Sequence, residues 1–349
     1  MSNLPKHIAI MRLSAMGDVA MTVPVLRAFV EQNPDVLVTV ISRKFFKPFF
    51  DGIPNITFFE FDDKNSHKGF LGLLRLFRDL QKLNIDAFAD LHNVLRSKII
   101  GILFALSGKK TAKLDKGRAE KKALTRSENK IFKQLPTMFE RHCQVFEKLG
   151  FKIDLLYQSV GTKFHKKAIL DLEIQDLIGN NADASGQKLI GIAPFAQYDS
   201  KVYPIDLMQQ VIDELALNPE NKILLFGGGK KEIEILNSIA ANKKNVLNCA
   251  GKISFEQELK LISNLDVMLS MDSGNAHIAA MLGVKVITLW GATHPFAGFS
   301  PFNQPQENCL TSDRKLYPKL PTSVYGNKIV EGYQDAMRTI IPSEIIAKI

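Results

Sequence analysis

The chain has 349 residues, 46% of them hydrophobic and 23% charged, which excludes disordered and fibrous classes and leaves room for two ordinary domains. No apolar run reaches the ~18 residues that cross a bilayer. Three cysteines (Cys143, Cys249 and Cys309), odd in number and without paired spacing, speak against a disulfide framework or a zinc site and for a reducing cytoplasm.

The first segment, HIAIMRL, is apolar apart from Arg12, as expected of a strand covered on both faces. With Arg12 inside the run and no small-residue cleavage site, it is not expected to be a signal peptide. After the turn SAMGD a helical pattern runs through Val19, Val23, Leu26 and Val30, with Pro24 in its first turn. VLVTVISR, NITFFEF and IDAFADLH read as strands; GFLGLLRLFRDLQKL and LRSKIIGILFAL read as helices. Between Arg96 and Lys133 stand twelve Lys/Arg against three Asp/Glu, so the chain's net charge of +9 lies in this stretch and the rest is neutral in sum. Such a segment is either a solvated face or an attractor of phosphate-rich partners: nucleic acid, anionic lipid or a phosphorylated glycan. Its GKKTAKLDKGRAEKKALTR portion reads as a short strand and then a polar, exposed stretch. Few aromatics accompany it (Phe104 and Phe132 flank it), which argues against base stacking and so against nucleic acid. TMFERHCQVFEKLG is an amphipathic helix stopped by Gly150.

Asp171 to Gly186 is polar and turn-rich and is expected to be a linker. Strands KLIGIAPFA, KILLFGGG, NVLNCAG, DVMLSMDSG and KVITLWGA then alternate with helices PIDLMQQVIDELAL, KKEIEILNSIAA, SFEQELKLISN and NAHIAAMLG. The tail IPSEIIAKI is a final short helix with Ser343 as its N-cap. Strict alternation demands parallel sheets with helices on both faces, so the fold class is α/β, with two doubly wound domains facing each other across a cleft. The expected boundaries are 1–170, 187–325 and a helical tail over 326–349. Ligands in such sheets bind at the carboxyl ends of the strands, where SAMGD, APFAQYDSK, FGGGKK, AGK, MDSG and WGATHP fall.

Four of those ends carry candidate chemistry. FGGGKKE, with Gly228 at its centre, is either a phosphate cradle at a helix N-terminus or only a tight turn. In DSGNAH, Asp272 can cap the next helix, Gly274 lets a backbone N–H approach a ligand, and His277 either meets a phosphate or is structural. Lys201, just before a helix with Pro204 in its first turn, is a phosphate contact or a surface cation. Asp18 is a helix cap or a general base.

Taken together, MRLSAMGDVAMTVPVLRAF, DLHNVLRSKIIG, DSKVYP, MDSGNAHIAAMLGVKVITLWGATHP and the closing MRTIIPSEIIAKI resemble glycosyltransferase family 9, the lipopolysaccharide heptosyltransferases. The resemblance spans nearly the whole chain. It implies a GT-B fold of two Rossmann-like domains, the acceptor on the first and the nucleotide-sugar on the second. It also implies inverting transfer of a heptose from ADP-heptose to the lipopolysaccharide core, without a metal or other cofactor. By position Asp18 matches the family's catalytic Asp. Lys201, Asp272, Gly274 and His277 match nucleotide-sugar contacts, to which Gly228 in the glycine turn and the backbone N–H of Ser273 are added as candidates, and Arg96 and Ser97 match a pair near the acceptor. Arg118 and Lys122, in the basic segment, would meet acceptor phosphates. The implied partners are the donor, a phosphorylated glycolipid and, peripherally, an anionic membrane at the cytoplasmic face. Two departures bear on the nucleoside: Ala196 and Gln197 stand where the family often has hydroxyl residues, and Glu232 is the nearest carboxylate after the Gly turn. The alternatives are another nucleotide-sugar used for a surface glycan, or a non-catalytic nucleotide- or glycan-binding protein on the same scaffold.

Overall fold

In the computed structural model, residues 4–156, 167–179 and 186–349 are described. The chain divides into two compact units, Met1–Arg118 with Pro136–Thr162, and Ala119–Leu135 with Lys163–Ile349.

In the N-terminal unit the apolar runs become β1 (His7–Met11), β2 (Leu37–Ser42), β3 (Ile56–Glu60), β4 (Ala87–Asp90) and β5 (Lys110–Lys113). They form one parallel sheet in the order β3-β2-β1-β4-β5. The helices are α1 (Met16–Ala20), α2 (Thr22–Gln32), α3 (Gly69–Gln81), α4 (Leu95–Leu106) and, after the basic stretch, α6 (Met138–Leu149). Leu73, Leu76, Leu80, Ile100 and Phe104 from α3 and α4 close over Met11, Ile41 and Phe88 of the sheet. On α6 Thr137 and Glu140 form a reciprocal capping box, and Gly150 ends the helix at φ 107°, where a side chain would be strained.

The second unit holds β6 (Lys188–Ala193), β7 (Asn221–Leu225), β8 (Val246–Asn248), β9 (Val267–Met271), β10 (Lys285–Trp290) and β11 (Cys309–Thr311). They are parallel, in the order β11-β10-β9-β6-β7-β8. Its helices are α5 (Arg118–Thr125), which begins on the last residue of the N-terminal unit, α7 (Leu172–Ile178), α8 (Ile205–Ala216), α9 (Lys230–Ala240), α10 (Phe255–Ile262), α11 (Gly274–Met281) and α12 (Pro342–Ile346). Both sheets have the nucleotide-binding strand order, which reverses direction between β1 and β4 in one unit and between β6 and β9 in the other. At such a reversal the loops leaving the two strands diverge and open a crevice at the carboxyl ends.

Six expectations need correction. The stretch after β5 is not simply exposed: it is helical over Arg118–Thr125, with Lys121, Leu124 and Thr125 buried on one face. Residues 119–135 pack with the second unit: Leu124, Leu135 and Ala297 share a cluster, and the Leu135 N–H donates to the Phe296 carbonyl at 2.9 Å. The expected linker contains α7, anchored by buried Ile174 and by an Asp171–Lys260 ion pair at 3.1 Å; positions 180–185 lie outside the described residues. The C-terminal stretch is no separate tail, since Met337, Ile340 and Ile345 belong to the second unit's core. α12 starts at Pro342 with Ile341 as N-cap in place of Ser343, and α8 has Pro204 as its N-cap, outside its first turn.

Candidate active-site residues on the two units

In the N-terminal unit the chemistry gathers at the reversal between β1 and β4. β1 ends by burying Arg12, whose Nη1 donates to the Leu91 carbonyl at 2.8 Å and whose own carbonyl accepts from Ser42 Oγ at 2.5 Å. Arg12 is therefore tied to the chain leaving β4 and to the end of β2. Its Nη2 lies 2.5 Å from Asp18 Oδ2. Asp18, in the first turn of α1, also accepts from the Ala15 N–H at 3.3 Å. So the cap reading of Asp18 holds for one oxygen, and the guanidinium fixes the carboxylate against a rigid strand end.

At the end of β4, Asp90 Oδ1 accepts the N–H groups of His92 (2.9 Å) and Asn93 (2.6 Å), an Asx-type turn that aims the loop into α4. His92 is buried, and burial, then the Arg12 and Lys116 charges, push its imidazole down to about 3, so it is neutral at physiological pH. Lys116 is held below the ordinary lysine range by burial first and by Arg12 and Arg118 next.

Of the expected acceptor contacts, Arg96 is exposed and 3.4 Å from Asp63, which Arg43 holds at 2.8 Å. Ser97 is fully buried. Its hydroxyl accepts the Val94 N–H and donates to the Val94 carbonyl, so it orders the start of α4 and does not face a ligand. Arg118 and Lys122 lie four residues apart on α5, both exposed, with Lys122 in the second unit. Lys121 beside them is buried, its Nζ 4.0 Å from the centroid of Phe299.

In the second unit the reversal between β6 and β9 is flanked by Lys201, in a 3-10 turn after β6, and Asp272, just past β9. Lys201 Nζ and Asp272 Oδ2 are 3.0 Å apart, and Thr293 Oγ1 donates to the same oxygen at 2.8 Å. This overturns the capping role for Asp272. Its carboxylate turns to Lys201 and Thr293, and α11 opens at Ser273 with no side-chain cap on its first N–H groups. Uncapped N–H groups at a helix start are the elementary anion site. Gly274 is the first helical residue; Ser273 Oγ lies 3.1 Å from Ser270 Oγ; His277 is buried at the end of the helix's first turn. Two glycines fit the backbone around Lys201. A Cβ on Gly291 would overlap the Ser200 carbonyl, and one on Gly326 (φ 86°) would overlap the Lys201 stem. Gly228 follows β7, and its N–H donates to Glu232 Oε2 at 2.7 Å, so Glu232 closes the glycine turn.

The structure thus pairs Lys201 with Asp272 beside Ser273, Gly274 and His277, and gives Asp18 a buried partner. Sequence reasoning missed Arg12, His92, Lys116, Thr293 and Gly326. Arg12 was visible as a charge inside a buried strand, Thr293 lies in WGATHP, His92 in DLHNVLRSKIIG and Lys116 in the basic segment; Gly326 had no signal of its own. Among the described residues, no three His, Cys, Asp or Glu side chains converge as metal ligands would.

The sequence and the fold both match known proteins. The family model for glycosyltransferase family 9 (heptosyltransferase) matches residues 73–328. Lipopolysaccharide core heptosyltransferase OpsX of Haemophilus influenzae is 30% identical over 302 residues, 86% of this chain and 82% of that protein. The glycosyl transferase family 9 structure from Veillonella parvula superposes with TM-score 0.74 at 18% identity, covering 98% of this chain and 96% of that one. E. coli heptosyltransferase WaaC with ADP superposes with TM-score 0.64 at 18% identity, covering 97% and 99%. These structures share the fold, and the sequence matches carry the assignment: the chain belongs to glycosyltransferase family 9, the heptosyltransferase family, and is a glycosyltransferase.

Proposed function

We propose that this enzyme transfers a heptose from ADP-heptose to the lipopolysaccharide core, with inversion and with Asp18 as general base. The observation that carries the reading is the pair of sheet reversals and their unlike chemistry. One holds a carboxylate clamped by a buried arginine; the other holds a lysine beside an uncapped helix start. The first suits proton removal, the second a diphosphate.

In the reaction, the acceptor hydroxyl attacks the anomeric carbon from the face opposite the leaving ADP. A carbon–oxygen bond to the acceptor forms, the bond to the phosphate oxygen breaks, and Asp18 takes the hydroxyl proton. General-base help of this kind contributes typically about 10²- to 10⁴-fold. Negative charge gathers on the departing diphosphate. Lys201, His277 and the N–H groups at Ser273 and Gly274 receive it, and Asp272 with Thr293 holds the Lys201 ammonium in place. With cations and backbone dipoles in that role, turnover should persist in EDTA. Arg96, Arg118 and Lys122 would meet phosphates of the acceptor glycolipid, and the enzyme would work peripherally at an anionic membrane.

The departures at Ala196, Gln197 and Glu232 favour testing the donor openly. Purified protein is offered a panel of nucleotide-sugars and a core acceptor, in EDTA, with mass spectrometry as the readout. The expected result is consumption of ADP-heptose, release of ADP and one heptose on the acceptor. Consumption of a different nucleotide-sugar instead would assign the other donor, and loss of turnover restored only by Mg²⁺ would overturn the cation-only mechanism.

A further inference from the structure

Helix α4, LRSKIIGILFAL, contains eight aliphatic or aromatic residues and no acidic one, and only one of its faces is packed. Ser97, Ile100 and Phe104 point inward; Phe104 stacks on Phe88 of β4 with centroids 5.1 Å apart. At 3.6 residues per turn, Leu95, Ile102 and Leu106 form a stripe on the opposite side, while Ile99 at its border packs against the core. Leu95, Ile102 and Leu106 are 75%, 58% and 80% exposed. A helix apolar all round belongs in a core or in lipid, and this one has a core on one side only. The neighbouring helix also exposes apolar residues. Phe77 of α3 meets Phe104 edge-on at 5.2 Å, and Phe70 and Leu71 at the start of α3 are 62% and 79% exposed.

Cations predominate around this ridge, the Asp63 carboxylate beside Arg96 apart. Lys98 on α4, Lys109 just beyond it, and Arg75 and Arg78 on α3 are all exposed. The two helices carry a single carboxylate, Asp79, which Lys82 holds at 2.7 Å. A second copy of the chain would bring the same cations against these cations. A surface of anionic headgroups over hydrocarbon complements both the ridge and its rim. Among the described residues no helix is long and apolar enough to cross a membrane.

We infer that this face of the N-terminal unit docks on an anionic lipid bilayer, with α4 in the headgroup plane, its aliphatic stripe at the acyl boundary and its flanking cations on lipid phosphates. The inference rests on the proposed function in one respect, the lipid-linked acceptor: Arg96, a candidate acceptor contact, stands in the first turn of the same helix. The basic segment as a whole is not required, because the surface lies on α3 and α4.

The test is co-sedimentation of the full chain with vesicles of phosphatidylcholine alone or mixed equally with phosphatidylglycerol, at low and high salt. Wild type should bind the anionic vesicles at least about tenfold more tightly, with the gap narrowing at high salt. The variant Leu95→Gln/Ile102→Gln/Leu106→Gln should lose at least about tenfold in affinity, since the apolar term is removed. Its thermal midpoint and its turnover on a soluble, deacylated acceptor should match wild type. Three results would overturn the inference: no binding of wild type to anionic vesicles, equal binding of the variant, or self-association through this face that the variant abolishes without vesicle binding. Vesicle binding needs no substrate, so absence of heptose transfer with binding intact would count against the proposed function alone.

Discussion

Lys201→Met should destabilise the second unit more than the double variant Lys201→Met/Asp272→Asn. The two groups are 3.0 Å apart, and their side chains are 13% and 9% exposed. At that separation the attraction is about 5–6 kcal/mol for an effective dielectric near 20, before any cost of desolvation. Methionine keeps most of the lysine stem's volume but removes the ammonium, leaving a buried carboxylate with the Thr293 hydroxyl as its remaining donor in this cluster. Removing one member of a buried pair typically costs about 3–5 kcal/mol, most of it from the stranded charge. For a unit of about 200 residues that corresponds to a fall in melting temperature of roughly 6–20 °C. Asp272→Asn removes the stranded charge, so the double variant should recover most of the loss. Calorimetry of wild type, both single variants and the double closes the cycle, with and without ADP. ADP should raise the wild-type midpoint and leave that of Lys201→Met nearly unchanged. A single-variant loss under about 1 kcal/mol, or a double equal to the sum of the singles, would refute the coupling. Undiminished ADP stabilisation of Lys201→Met would move the diphosphate elsewhere.

Two further outcomes are expected. Asp18→Asn should lower kcat by at least about 10²-fold while ADP still shifts the melting curve as in wild type, because the base and the diphosphate site sit on different strands' ends; wild-type turnover at saturating acceptor would reduce Asp18 to a helix cap. Glu258 is half-buried in the first turn of α10, and its desolvation pushes the carboxyl up to about 7. Between its ordinary range near 4.5 and about 7 the folded state holds a proton that the unfolded state has released, so stability falls as pH rises through that window and stays low above it. Glu258→Gln should therefore gain on wild type at pH 8 by at most about 3 kcal/mol and show little difference near pH 4.5, in urea unfolding at both pH values. A gap that does not vary with pH would show that Glu258 does not titrate as its burial implies.

The parallel sheets were legible because buried parallel strands read as apolar runs, and β1, β2, β6, β7, β9 and β10 all have them. β11 was not: Cys309–Thr311 is three residues long, half-buried and at a sheet edge, so neither run nor alternation marks it. α5 was misread because RAEKKALT looks solvated. Its Lys121 is buried all the same, with the ammonium against an aromatic face contributed from far along the chain. The site divides the same way. Asp18, Lys201 and Asp272 could be picked out because each stands where an apolar run breaks. Their pairings could not, since Arg12 reaches Asp18 while anchored on Leu91, and Asp272 chooses Lys201 over the helix beside it only once β6 and β9 are neighbours.

The net charge shows why a sum along the sequence misleads about a surface. Nine excess positive charges between Arg96 and Lys133 suggest one cationic patch. In the folded chain, Lys110 Nζ donates to the Leu149 carbonyl at 3.1 Å. Lys130 Nζ donates to the carbonyls of Leu124 (3.0 Å) and Pro321 (2.7 Å), and burial lowers its ammonium to about 8. Lys121 lies against Phe299. These cations stitch loops and the 119–135 segment into place and are poorly placed to meet a ligand. The exposed remainder divides between the two units: Arg96, Lys98, Lys109, Lys113 and Arg118 on the first, and Lys122, Arg126 and Lys133 on the second. Charge on α4 stands beside an apolar ridge and suits a lipid surface, whereas Arg118 and Lys122 on the polar helix α5 suit a glycan phosphate of the acceptor, away from hydrocarbon. On the proposed function the exposed cations attract the phosphate and the surface beside them selects its kind, so a substitution scan of the segment has to separate the structural lysines from the exposed ones before its kinetics can be interpreted.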